Sequence, residues 1–355
     1  MAIEIDKLKY SPTLRLRALE MRAVEQLFDL EKSQFLPTFL LRPWTTATTI
    51  EKALDRIDLA MANGPYCLNF DPLYFGETGH ADAVAQYENL KNHAAAWYDF
   101  VERRENCIPY LRSEGGFPNL NAPNMRWLQE RGFGISLMYP FHELSSVAAF
   151  ISQREDSNFF VNVDAGWDLE VLNKQLAVNG VVRALIQANE NVNIVVTSST
   201  FPNSFDGVGL DYRHSLAERT LFENAQLEAR SISNRANIFY GDWATTRPPS
   251  NTPMPNFWPR IDVPLTSEIR MFREKGNDVR ATYEELAEEI VQGPYWDQIP
   301  DCWGKYLIDI TSSGGTGGIF LPTQNVPPRI NMHLHTQISA AHGGPQDSGV
   351  EEYED

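Results

Sequence analysis

Asp71, Asp164 and Asp242 each close a short apolar run: YCLNFD, FFVNVD and IFYGD. A carboxylate at the end of a buried strand is partly desolvated. It can bind a divalent cation, serve as general acid or base, or accept hydrogen bonds from sugar hydroxyls. Capping the next helix or loop is the plainer role for any one of them. Asp164 and Asp242 carry the stronger signal, because each has a glycine and a tryptophan alongside, Gly166-Trp167 and Gly241 with Trp243. An acid beside a large aromatic suits a ligand that stacks. Asp164 and Asp242 are therefore the candidate catalytic pair, with Asp71 and Trp243 as candidate ligand contacts.

Arg42, at the end of FLPTFLLR, and Arg112, at the end of CIPYLR, stand in the same position relative to their own runs. The planar guanidinium fork recognises a carboxylate or phosphate through two parallel hydrogen bonds, so a pocket holding both would suit a small anionic ligand. Structural ion pairs with Asp71, Glu114 or Asp164 are the alternative. Ser198 ends IVVTS and begins Ser198-Ser199-Thr200. Without the glycines of a nucleophile elbow it is expected to hydrogen-bond a ligand or shape a turn. His333-x-His335, placed on a strand, would put two imidazoles on one face. No partner motif for zinc accompanies them, so a structural or hydrogen-bonding role or substrate contact stands ahead of metal ligation, with His335 as the candidate contact. Glu114-Gly115-Gly116 gives a turn after Arg112. No phosphate-loop or dinucleotide fingerprint is present, so no cofactor or metal is identified.

These residues need elements to position them. Short apolar runs bounded by polar residues read as buried parallel strands, here at 35–42, 66–71, 107–112, 135–139, 159–164, 194–198 and 238–242. Helix-like stretches alternate with them: 11–30, 50–61, 83–104, 124–130, 145–153, 169–188 and 216–231. In parallel α/β folds, ligands bind outside the carboxyl ends of the strands. An eighth run, RIDVPL at 260–265, is expected to close a barrel, with Pro264 at its end. The proline-rich stretch 248–259 reads as an irregular loop, 283–292 as a helix, and 330–338 as a last strand.

The net charge of −17 argues against a nucleic-acid or anionic-membrane partner, which would be repelled at long range. A local basic pocket inside an acidic shell is compatible with it. Cys67, Cys107 and Cys302 are three, far apart and without CxxC spacing, as expected of buried thiols in a reducing compartment. With no signal-type apolar core at the start and no apolar stretch of about 18 residues, a cytoplasmic protein is expected.

Several motifs follow one another along the chain: Tyr10-x-Pro12, a helix with Glu20 and Ala23, Ile108-Pro109, the strand ending at Asp164, and Ser199-Thr200-Phe201-Pro202. Further on come Gly241-Asp242-Trp243, a basic stretch from Arg270 to Gly276, Trp303-Gly304, and His333 with His335. This order, spanning 10–336, resembles the beta protein family of bacteria and phages. The chain departs from the family pattern in three places. Trp243 stands for the usual tyrosine, Glu274-Lys275 separates Arg273 from Gly276, and Pro264-Leu265-Thr266 replaces an alternating Tyr-Thr strand. The last two put the final strand and its loop in question. Arg273 joins the ligand-binding candidates through this basic stretch. The resemblance implies an organisation and no biochemical activity. Its phage and bacterial distribution implies a role in phage–host conflict, in the host cytoplasm where the gene is carried by a phage.

Together these readings predict one α/β domain over 1–342, a single (β/α)8 TIM-barrel-like fold with an N-terminal helix and an irregular C-terminal segment. A doubly wound open sheet is the alternative. The tail at 343–355 is acidic, poor in aliphatics and expected to be disordered. Two functions fit: a binding module that holds a small anionic ligand or a host protein, or a hydrolase using Asp164 and Asp242, with or without a metal. Self-association into a homo-oligomer is compatible with both.

Overall fold

The computed structural model describes residues 8–74, 79–113, 116–155, 158–205, 211–246 and 258–341. The expected tail, residues 248–257 of the proline-rich stretch, and Glu114-Gly115 lie outside these residues. The strands are β1 (Thr13–Arg15), β2 (Thr38–Leu41), β3 (Tyr66–Phe70), β4 (Cys107–Pro109), β5 (Phe133–Met138) and β6 (Phe159–Trp167). They continue with β7 (Asn193–Ser199), β8 (Asp211–Ser215), β9 (Asn237–Asp242), β10 (Arg260–Pro264) and β11 (Glu268–Arg273). Within the stretch read as one domain, the chain forms two compact units: Met1–Asn203 with Leu216–Asn251, and Ser204–Ser215 with Thr252–Asp355.

In the first unit, two four-stranded parallel sheets form, in the orders β1-β2-β3-β4 and β5-β6-β7-β9. Isolated parallel bridges link them, Tyr10 to Tyr240 and Tyr110 to Gly134. Leu36, Cys67, Ile108 and Tyr110 from the first sheet side meet Phe160, Val195 and Phe239 from the second in one core. Runs rich in Val, Ile, Leu and Phe are what strands buried on both faces require. Helix Ala217–Ile232 packs on β7 and β9. The thiols of Cys67 and Cys107 are fully buried, and burial pushes both above the ordinary range, so they are inert.

The predicted single closed (β/α)8 barrel is corrected by this topology. The strands divide among three sheets, two parallel and one antiparallel. The run at 260–265 closes nothing in the first unit. As β10, it pairs antiparallel with β11, which pairs antiparallel with β8, in the second unit. A three-residue connection between β10 and β11 permits only an antiparallel return.

Three other elements differ from expectation. The predicted helix 11–30 opens as an extended strand, since Thr38 N bonds to Pro12 O and Leu16 N to Leu40 O; the helical stripe holds only over Ala18–Glu25. The predicted helix 83–104 is broken at His93, which is extended (φ −130°, ψ 104°), into Ala81–Asn92 and Ala94–Glu102. The predicted last strand lies inside helix Pro322–Ala341. That helix buries Asn325, Arg329, Asn331, His333, His335 and Gln337 as well as its apolar residues, so no polar face marks its period. Histidines two apart on a helix are rotated by about 200°, so they do not share a face.

The second unit packs Ile261, Val263 and Phe272 against Tyr283, Leu286, Ile290, Ile308 and Met332. Among the described residues, no helix is long and apolar enough to cross a membrane.

Candidate ligand-binding site

A cavity of about 380 Å³ opens in the first unit, among residues at or just beyond the carboxyl ends of the parallel strands. That size suits a small molecule. Asp71, Arg112, Asp164 and Trp243 line it, joined by Lys91, Asn162, Ser136, Tyr139, His142 and Glu143. Parallel pairing produces the convergence. Met138 lies opposite Asp164, Asp164 opposite Thr197, and Ser198 opposite Asp242, so these strands end at one level.

Asp164 is buried where β6 breaks register, between Asp164 and Trp167. Gly166 there has φ +74°, a conformation glycine adopts without strain. Its amide donates to Asp164 Oδ1 at 2.8 Å. Burial pushes the Asp164 carboxyl up from 3.8 to about 6, against the opposing pull of Gly166, Trp243 and Lys174. The Trp243 indole N–H is close enough to favour the charged form but makes no full hydrogen bond among the described residues.

The sign of this shift gives a prediction. A carboxyl raised in the folded state contributes stability that is present below about pH 4 and is lost as pH rises through 6. Asp164→Asn keeps the shape and removes the titration. It is expected to match the parent near pH 4 and to exceed its stability by about 2 kcal/mol at pH 8. Urea midpoints measured from pH 4 to 8 check this; parallel curves for the two proteins would refute it.

Asp71 holds two guanidiniums. Its Oδ2 lies 3.7 Å from Arg42 Nη1 and 3.9 Å from Arg15 Nε, while its Oδ1 accepts from Leu73 N at 2.9 Å. Arg42 also stacks on Tyr74, 5.0 Å from the ring centre. It reaches the cavity wall through Asp71 and is not itself among the lining residues. Arg112 lies over the Phe70 ring at 5.0 Å, and Ser113 donates to Glu143 at 3.0 Å.

Asp242 is held differently from Asp164. Its Oδ1 accepts from Tyr10 Oη at 2.9 Å and from Ala244 N at 2.9 Å. Ala244 (φ 43°) and Thr245 (φ 57°) follow in the left-handed region, an unfavourable backbone for residues other than glycine. The Asp242 carboxylate thus fixes a strained turn beside Trp243. Asp242 is not among the cavity residues, and neither is buried Ser198. Arg273, over the Trp258 ring at 4.6 Å, and buried His335 belong to the second unit.

Sequence reasoning missed Arg15. It ends β1, buried, with its guanidinium 5.5 Å from the Trp243 ring centre. The available signal was Thr13-Leu14-Arg15, a short run closed by arginine as Leu40-Leu41-Arg42 is. The helical spacing of the following leucines masked it.

The profile of the Beta protein family matches residues 10–339. The chain belongs to the Beta protein family. "Protein beta" of Enterobacteria phage P4 is 22% identical over 351 residues, covering 95% of each chain. No solved structure matches. The family match extends through both compact units, so the cavity and the polar helix of the second unit both fall inside the shared region.

Proposed function

We propose that this Beta protein family member is a binding protein that holds a small, negatively charged molecule in the cavity at the carboxyl ends of its parallel strands. The observation that carries the reading is a gathering of cations, among the described residues, at one cavity of a strongly acidic chain. Arg15, Arg42, Lys91 and Arg112 gather at or behind the cavity wall, against Asp71, Asp164 and Glu143. The chain as a whole carries −17, so such a cluster runs against its composition. Arg112 contacts the ligand's charge, Trp243 stacks on its body, and Asp242 positions Trp243 through the strained turn. The likeness to a phage protein supports a setting in phage–host conflict, in the host cytoplasm, with the ligand or a host protein as partner.

The experiment is occupancy. Losing a charge-assisted hydrogen bond is worth roughly 1.5–3 kcal/mol, so Arg112→Gln is expected to weaken retention about ten- to a hundredfold. Unchanged retention in a folded Arg112→Gln protein would refute the role given to Arg112. A hydrolase is the second reading, favoured by one observation. An Asp164 carboxyl near 6 suits a general acid or base at neutral pH. Turnover of a phosphodiester, glycoside or amide that disappears in Asp164→Asn would support it.

A further inference from the structure

Three carboxylates line the cavity, and each is answered differently. Asp71 has the guanidiniums of Arg42 and Arg15 at 3.7 and 3.9 Å, and Glu143, which is exposed, accepts from Ser113. Asp164 is 5% exposed and has no cation at ion-pair distance among the described residues. Lys174, the cation whose charge reaches it, gives its ammonium to Ala165 O at 2.8 Å and to Asp168 Oδ2 at 3.1 Å. What Asp164 receives is the Gly166 amide at 2.8 Å and the nearby Trp243 indole N–H. Both are neutral dipoles, whereas a carboxylate accepts about four hydrogen bonds and a buried one is ordinarily paired with a cation. The amide oxygens of Asn69 and Asn162, on the same wall, are taken by Phe70 N at 2.9 Å and Thr197 Oγ1 at 2.7 Å. Asp164 is thus a charged acceptor with capacity to spare at the cavity wall.

Resting on the reading of the cavity as an anion site, we propose that its ligand also carries a protonated amine and that Asp164 receives it. Charge selects this class. A ligand hydroxyl would give Asp164 a hydrogen bond and leave its buried charge uncompensated. An ammonium supplies three donors and the opposite sign. The Asp164 carboxyl, raised by burial to about 6, is still mostly ionised at neutral pH and so able to hold a cation. Lys91 and Arg112, both on the wall, serve the anionic groups. One amine against two anionic groups leaves the ligand net negative, which is the class of the acidic amino acids and molecules built like them.

The test uses the full chain, dialysed, and melted at neutral pH in sodium L-glutamate, sodium glutarate or sodium chloride at matched ionic strength. Glutarate is glutamate without its amine. Glutamate is expected to raise the melting temperature of the parent by about 2–4 °C over chloride, and glutarate by less. In Asp164→Asn the glutamate rise falls to the level of glutarate, while the glutarate rise stays as in the parent. A merely structural Asp164 gives equal rises in the parent, or both rises lost together in the variant; either pattern overturns the assignment. The molecule that the parent releases on denaturation is also treated with an amine-reactive label, which decides alone where neither acid shifts melting. It is expected to take the label, and Asp164→Asn to retain it about ten- to a hundredfold more weakly. If the released anion takes no label, or is lost from Arg112→Gln and kept by Asp164→Asn, the cavity reading stands and the assignment to Asp164 falls. If the parent retains no molecule and neither acid shifts its melting, the cavity reading falls as well.

Discussion

Asp262→Ala is expected to lower stability by about 3–5 kcal/mol, the usual cost of stranding a buried charge. Asp262 is fully buried on β10. Its Oδ2 receives Arg329 Nη1 at 2.8 Å and Asn325 Nδ2 at 3.4 Å, and its Oδ1 lies 2.9 Å from Arg260 Nε. Asn325 and Arg329 lie one turn apart on helix Pro322–Ala341, so a single carboxylate fastens that helix to its sheet. Removing it leaves buried Arg329 facing Arg260 without the shared countercharge. Urea denaturation of the full chain measures the loss. A midpoint within error of the parent would mean that the arginines find other acceptors and that the helix is held by its apolar contacts.

Gly241→Ala is expected to cost about 2–3 kcal/mol by overpacking. A Cβ there would lie 2.4 Å from Thr197 Oγ1, 2.8 Å from Val195 Cγ1 and 3.0 Å from Ser11 O. The first two are side chains on β7, the paired strand, and the third is backbone that cannot swing away. Ser11 N bonds to Tyr240 O at 2.9 Å, so pressure on Ser11 strains the bridge between the two parallel sheets. Thr197 Oγ1 donates to Asn162 Oδ1 at 2.7 Å, and Asn162 lines the cavity. The substitution should therefore reduce ligand retention along with stability. An Ala variant with parental denaturation would show that β7 and β9 have slack that these distances deny.

The reach of sequence reasoning follows from what each residue is asked to do. Runs such as FFVNVD and IVVTS are buried on both faces, so their composition announces strands, and parallel pairing brings Asp71, Arg112, Asp164 and Trp243 to one cavity. RIDVPL has the same composition, but strand direction is set by the short connection to β11, which an apolar count does not reveal. Helix Pro322–Ala341 is polar and buried at once, so neither a helical nor a strand period could stand out, and its histidines read as an alternating strand. Arg15 was hidden by a three-residue strand running into a helix whose leucines dominate the pattern. Asp164 and Asp242 look equivalent in sequence, each closing a run before a tryptophan. Only the three-dimensional neighbours separate the carboxyl facing the cavity from the one holding a turn.

The most direct measurement of the account is intact mass under native conditions, for the parent and Arg112→Gln purified side by side from cells. The account predicts that the parent carries an added mass of one small molecule per chain, lost on denaturation and negatively charged when released, with occupancy strongly reduced in Arg112→Gln. A parent chain of bare polypeptide mass, or an adduct held equally by both proteins, would contradict it.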